Sequence, residues 1–276
     1  MPETFESSMH IQVMGVGNAG CQMVERLLGV APNVVLTCAH TDARRLQASN
    51  TPHRLYLSDE TESTSQAYLR TALADTQVLF LVTDAQEHHL QAATDLIAQT
   101  AKAMGILSIA YAATPGAATT ADWLLQVDAH LVSSPHLHHS TLHSAVREIA
   151  AILNEYGHVN VDVEDVQATL RMPGAAMLGS ATASGAERAQ LAAAQALQSI
   201  DIAHAQGILV LISAAKGSLR LSESRQVMHA VHTQAHPDAQ IIYGAAYDDS
   251  LDTALRATVI AAGLPTAATA PISVRP

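Results

Sequence analysis

The sequence predicts an α/β protein with a parallel sheet in its first half, a long central helix and a second, smaller α/β unit behind it. Three observations carry that expectation. Residues 10–38 run strand, Gly-rich turn, helix and strand, the βαβ unit whose right-handed crossover builds a parallel sheet. Residues 139–156 place Leu142, Val146, Ile149, Ile152 and Leu153 along one face of a long helix. Behind Gly157, apolar runs and helical patterns alternate again.

Each element has its own warrant. Residues 10–16 form an apolar run entering a Gly turn, and residues 18–29 follow with Met23, Val24, Leu27 and Leu28 at helical spacing. Residues 34–38 are a continuous apolar, β-branched run, the pattern of a strand buried on both faces. The polar stretch 50–66 reads as loop and 68–74 as a short helix. Val78-Leu79-Phe80-Leu81-Val82 is a third buried strand, and a helix follows from about Glu87 to Met104, ended by Gly105. Residues 106–111 and, with a fainter pattern, 127–132 are further strands. In the second half, 174–182, 207–214, 240–246 and 255–262 read as strands, with helices near 184–199 and 222–235. The Pro-, Ala- and Thr-rich tail, 265–276, reads as loose.

A length of 276 residues suits one large or two modest domains. Charged residues make up 14% and hydrophobic residues 49%, the balance of an ordered globular chain. Lys and Arg number 14 against 25 Asp and Glu, a formal charge of −11 that excludes a nucleic-acid binder resting on phosphate contacts. The same charge disfavours anionic lipid headgroups. No apolar stretch approaches the roughly 18 residues of a membrane span, and the acidic start at Glu3 and Glu6 lacks the basic and apolar parts of a signal peptide. A cytoplasmic protein without direct membrane insertion is therefore expected. The two cysteines, Cys21 and Cys38, make no disulfide framework, and Cys21 in the first turn of a helix is a candidate low-pKa thiol. His139 and His143 are spaced i, i+4 beside His136 and His138, but carboxylates at useful spacing are missing. This cluster reads as a solvated, pH-sensitive face, and no metal is expected.

Gly15-Val16-Gly17-Asn18-Ala19-Gly20 matches G-x-G-x-x-G between a strand and a helix. Such a turn can aim backbone N–H groups and a helix N-terminus at phosphate oxygens. Asp42 follows the second strand at about the distance of a ribose-binding acid, so an NAD- or FAD-dependent oxidoreductase is one reading. The other is a tight turn whose glycines only permit close packing.

Further segments point elsewhere. His40-Thr41-Asp42-Ala43-Arg44-Arg45-Leu46 resembles the N-T-D-A-x-x-L segment of the FtsZ family, the bacterial tubulin relatives. Gly157-His158-Val159-Asn160-Val161-Asp162-Val163-Glu164-Asp165-Val166 is similar to that family's G-x-I-N-V-D-F-A-D-V synergy loop. The run from Ala176-Met177-Leu178-Gly179 to Gly185-Ala186-Glu187-Arg188-Ala189 resembles A-M-M-G-x-G-x-A-x-G-E-x-R-A. Leu255-Arg256-Ala257-Thr258-Val259-Ile260-Ala261-Ala262-Gly263-Leu264 resembles L-R-V-T-V-V-A-T-G-L. From about Ile11 to Leu264 the chain thus resembles the FtsZ/tubulin superfamily. The resemblance implies a Rossmann-like nucleotide domain over 1–138, a central helix over 139–157 and a smaller α/β domain with a mixed sheet over 158–264. It also implies a GTP or GDP site at Gly15, Gly17, Asn18, Gly20, Gln22 and Asp42. Asn160, Asp162 and Asp165 would reach the GTP of the next subunit.

The chain departs from the family where phosphates are held. After the strand at 78–82 the family has G-G-G-T-G-T-G, whereas this chain has Thr83-Asp84-Ala85-Gln86-Glu87-His88-His89-Leu90. No glycine remains to point successive N–H groups inward, and Asp84 and Glu87 bring negative charge to the phosphate side. The G-x-G-A-N-P loop has no counterpart in 50–65, and P-F-x-F-E-G is reduced to Thr114-Pro115-Gly116-Ala117. In the Gly turn, Asn18 and Cys21 replace glycines and Gln22 replaces an asparagine. The expectation is a pseudo-GTPase with a vestigial nucleotide site and no bound cofactor. It would self-associate as a filament, dimer or other homo-oligomer and serve as a cytoskeletal or membrane-remodelling scaffold through membrane-associated partner proteins. An active GTPase with a remodelled pocket is the alternative. Asp162 also has a structural reading, as the N-cap of a helix from Val163 with Asp165 in its first turn.

Overall fold

The computed structural model describes residues 10–30, 33–57, 62–84, 87–112, 129–132, 138–154, 159, 161–172 and 174–265. The shortened loop at 114–117, His136, Asn160 and the tail at 266–276 lie outside them.

Strand β1 (His10–Val16) runs into helix α1 (Gly17–Glu25), and β2 (Val34–His40) completes the first crossover. Then come α2 (Ala43–Ala48), β3 (His53–Tyr56), α3 (Glu62–Ala72), β4 (Thr76–Thr83), a 3₁₀ turn (His88–Leu90), α4 (Gln91–Ala103), β5 (Leu107–Ala112) and β6 (Ala129–Val132). Helix α5 (His138–Asn154) crosses to the second half. That half comprises α6 (Val163–Leu170), β7 (Ala175–Ala183), α7 (Arg188–Gln198), β8 (Gly207–Ala214), α8 (Leu221–Gln234), β9 (Gln240–Tyr247) and β10 (Leu255–Leu264).

The ten strands of the described residues join one sheet in the order β3-β2-β1-β4-β5-β6-β7-β10-β8-β9. Strands β1 to β6 pair in parallel, and β7 continues in parallel beside β6. β10 lies antiparallel between β7 and β8, which makes the second half mixed as expected. The apolar run of β4 is explained by helices on both faces of the sheet. Val78, Phe80 and Val82 join one core cluster with Met23 and Val24 of α1 and Leu27 of the turn after it, while Leu79 and Leu81 join another with Leu69, Leu73 and Ile97. Helix α5 unites the halves. Its Leu142, Val146, Ile149 and Leu153 lie in a cluster that also holds β4 residues and Leu209, Leu211 and Ile260 from β8 and β10.

Two packing devices suit a chain with only 3% aromatic residues. Ala189, Ala192, Ala193 and Ala196 of α7 are fully buried, and the helix lies so close to β7 that a Cβ at Gly179 would collide with the Ala196 carbonyl. Glu148 of α5, only 1% exposed, meets Arg256 of β10 at 2.8 Å, and Ser213 Oγ donates to its other oxygen at 3.2 Å. A buried charge needs such partners.

The expected loop at 50–66 is corrected. It contains β3, which pairs with β2 from Thr37↔His53 to His40↔Tyr56, and the start of α3. Only Leu55 of β3 is buried, so this edge strand has almost no hydrophobic pattern to read. The expected helix from Glu87 starts instead as a 3₁₀ turn before α4, and α2 was unanticipated.

Candidate functional site

The Gly turn sits where β1 passes into α1. Gly15 and Gly20 are there for packing: a Cβ on Gly15 would strike the Gly20 carbonyl, and one on Gly20 would strike the Val82 carbonyl of β4. Gly17 takes a left-handed φ of +80° that suits glycine alone. A Cβ there would run into the carboxylate of Glu87 and lie 2.7 Å from Leu90 Cδ1.

Glu87 is the decisive neighbour. Its Oε1 accepts the backbone N–H of Asn18 at 3.0 Å, although 69 residues separate them in sequence. The N-cap Val16 offers α1 no side-chain acceptor and its first turn holds no acid, so Glu87 supplies the anion that a helix N-terminus favours. A tight turn fixes Glu87: its N–H donates to the Asp84 carbonyl at 3.1 Å, and its carbonyl accepts from Leu90 N–H at 2.9 Å. Leu90 is buried in the core. Glu87 Oε2 is buried and has no hydrogen-bond partner among the described residues.

The other expected ligand residues are spread around this turn. Asp42 is used locally, its Oδ1 accepting Arg44 N–H at 2.8 Å to cap α2. His40 is buried and its Nδ1 accepts Asp42 N–H at 2.8 Å, which assigns the proton to Nε2. Burial pushes the His40 imidazole below its ordinary pKa, outweighing the upward pull of Glu87 and Asp42. Burial therefore favours its neutral form, which offers the turn no fixed cation. Asn18 and Gln22 are exposed. A phosphate bound at the start of α1 would have to displace the Glu87 carboxylate from the Asn18 N–H.

Cys21 is corrected as a thiol candidate. It forms a disulfide with Cys38, with Cα atoms 5.0 Å apart and both residues fully buried. The bond ties α1 to β2, two elements that the first crossover lays side by side.

The acidic turn forms at the far end of α5. Helix α5 follows β6, whose carboxyl end shares the sheet edge of the Gly turn, and its 17 residues span about 25 Å. Val159 then exchanges backbone hydrogen bonds with Ala245 of β9 at 3.3 and 3.1 Å. Asp162 Oδ1 accepts Glu164 N–H at 3.1 Å, the N-cap of α6. Val161 and Val166, at the N′ and N4 positions, are both buried in the core. The cap leaves Asp162, Glu164 and Asp165 exposed together. Asp162→Ala is expected to lower unfolding stability by about 1 kcal/mol, with Asp162→Asn nearly neutral, in denaturant titrations of each variant.

Among the described residues, no group of three or more His, Cys, Asp or Glu is placed to hold a metal. No helix of these residues is long and apolar enough to cross a membrane.

Residues 174–265 match the model of the FtsZ family, C-terminal domain. The cell division protein FtsZ of Neisseria meningitidis serogroup A is 27% identical over 315 aligned positions, covering 95% of this chain and 80% of the relative. An FtsZ dimer of M. jannaschii, described as empty, superposes with a TM-score of 0.76 at 22% identity over 93% of this chain and 89% of the other. CetZ2 from Haloferax volcanii, a GTPγS-bound protofilament, superposes with a TM-score of 0.68 at 17% identity over 92% and 93% of the two chains. Residues 174–265 thus carry the C-terminal domain of the FtsZ family, and along nearly its whole length this chain is similar to FtsZ in sequence and in fold.

Proposed function

We propose that this protein is an FtsZ-like cytoskeletal scaffold that associates head to tail without a GTP cycle. The observation that carries the reading is the placement of the two motifs at opposite ends of α5. About 25 Å of helix keeps the acidic turn from the Gly turn of its own chain, so the two can meet only between molecules. Such a contact is heterologous and propagates unless the rotation closes it. The empty FtsZ dimer and the CetZ2 protofilament support self-association in this fold, the first in a form its description gives as empty.

In this reading Gly15, Gly17, Asn18, Gly20, Gln22 and Asp42 are a vestigial nucleotide face. Asn160, Asp162 and Asp165 form the subunit contact that has outlived the chemistry. The −11 charge directs any membrane role through partner proteins, since anionic headgroups repel the chain.

Sedimentation velocity at rising concentration, without nucleotide, tests the proposal. Larger species are expected to grow with concentration, and Asp165→Lys is expected to suppress them while unfolding stability falls by under about 1 kcal/mol. A strict monomer at high concentration would overturn self-association. Micromolar GTP binding with phosphate release would overturn the nucleotide-free cycle in favour of the active GTPase.

A further inference from the structure

We propose that Glu87 is a built-in plug of the anion site at the start of α1, and that removing its carboxylate opens the Gly15–Gly20 turn to a phosphate group. The proposal rests on the reading of that turn as a vestigial phosphate cradle. It goes further by assigning the exclusion to one side chain.

Four features support it. Glu87 Oε1 already accepts the Asn18 N–H at 3.0 Å, the type of donor that a helix N-terminus offers to a phosphate oxygen. The space left by the missing side chain of Gly17, at φ +80°, is filled by the same carboxylate. That glycine therefore serves an internal ligand. Glu87 does not hang from a free loop: its turn bonds back to Asp84 and forward to Leu90, whose buried side chain anchors the turn in the core. Finally, no Lys or Arg forms an ion pair with Glu87 among the described residues, and His40 beside it is pushed towards the neutral form by burial. An incoming phosphate would meet an uncompensated carboxylate at contact distance, where like charges repel most. Removing the side chain takes away both the competitor for the N–H and the repelling charge.

The test titrates wild type, Glu87→Ala and Glu87→Gln with GDP and with inorganic phosphate by calorimetry, and follows the Asn18 amide by NMR. Wild type is expected to show no binding up to millimolar ligand. Glu87→Ala is expected to bind GDP at least tenfold more tightly, with the ligand shifting the Asn18 amide. Glu87→Gln keeps an acceptor for Asn18 without the charge, so a gain there attributes exclusion to charge and serves as the folded control should the alanine variant unfold. If wild type is silent and neither variant gains affinity, the plug is overturned while the vestigial reading stands. Micromolar binding by wild type overturns both. A gain whose amide shifts lie away from residues 17–20 also overturns the plug.

Discussion

Replacing Arg188 with alanine is expected to lower the thermal midpoint by on the order of 10 °C, the consequence of losing about 3–5 kcal/mol. Arg188 opens α7 and is only 7% exposed. Its Nε donates to Glu223 Oε1 at 2.7 Å and its Nη2 to Glu223 Oε2 at 3.0 Å, a two-pronged bond to the first turn of α8. The same guanidinium donates to the Ser218 carbonyl at 2.7 Å and the Thr253 carbonyl at 2.8 Å. One side chain thus ties α7, the approach to α8 and the segment before β10. Alanine leaves the Glu223 carboxylate without its cation and leaves two carbonyls without donors. Arg188→Met combined with Glu223→Leu removes both charges and is expected to recover much of the loss, because the pair repays its desolvation only while intact.

The pH profile supplies a second readout. The Arg188 hydrogen bond holds the Glu223 carboxyl below its ordinary range, against the opposing effect of burial. A carboxyl whose folded pKa is depressed stabilises above its unfolded pKa and loses that contribution as pH falls through the folded value. Wild type should therefore lose stability on acidification below about pH 4.3, and Arg188→Ala should show a flatter dependence across that window. Equal profiles would show that the pair contributes nothing.

Reducing the Cys21–Cys38 bond is expected to cost about 3 kcal/mol, the loop-closure entropy returned to the unfolded chain when residues 17 apart are freed. Denaturant midpoints of oxidised wild type, reduced wild type and Cys38→Ala check this, with the two unbridged forms expected to agree. Because both residues are fully buried, alkylation of reduced protein should require denaturant. Coincident oxidised and reduced midpoints would refute the prediction. The bond also bears on the expected compartment. Disulfides are uncommon in the reducing cytosol, so the redox state of the pair in freshly lysed cells tests the cytoplasmic expectation directly.

Much of the fold was legible because its signals are local. The run Val78-Leu79-Phe80-Leu81-Val82 reads as a strand covered on both faces, and the spacing of Leu142, Val146 and Ile149 as a long helix with one buried side, and the core clusters agree with both. The N-cap at Asp162 was readable for the same reason, since the bond spans two residues. β3 was hidden because its partner is β2 and only Leu55 carries an inward signal. The sequence showed that Glu87 brings charge to the phosphate side, but not that it reaches the Asn18 N–H. The available clue was that α1 begins with neither a capping side chain nor an acid of its own.

By itself, then, the sequence determined most of the strand and helix order, the central helix and the resemblance to FtsZ, because these rest on periodicity and on motifs whose parts are neighbours in the chain. The tertiary structure decided what the motifs do. It joined both halves in one ten-stranded sheet, paired Cys21 with Cys38, turned Asp42 into a helix cap and set Glu87 against Gly17. Crossovers and packing bring together groups far apart along the chain, and no local pattern records which of them will meet.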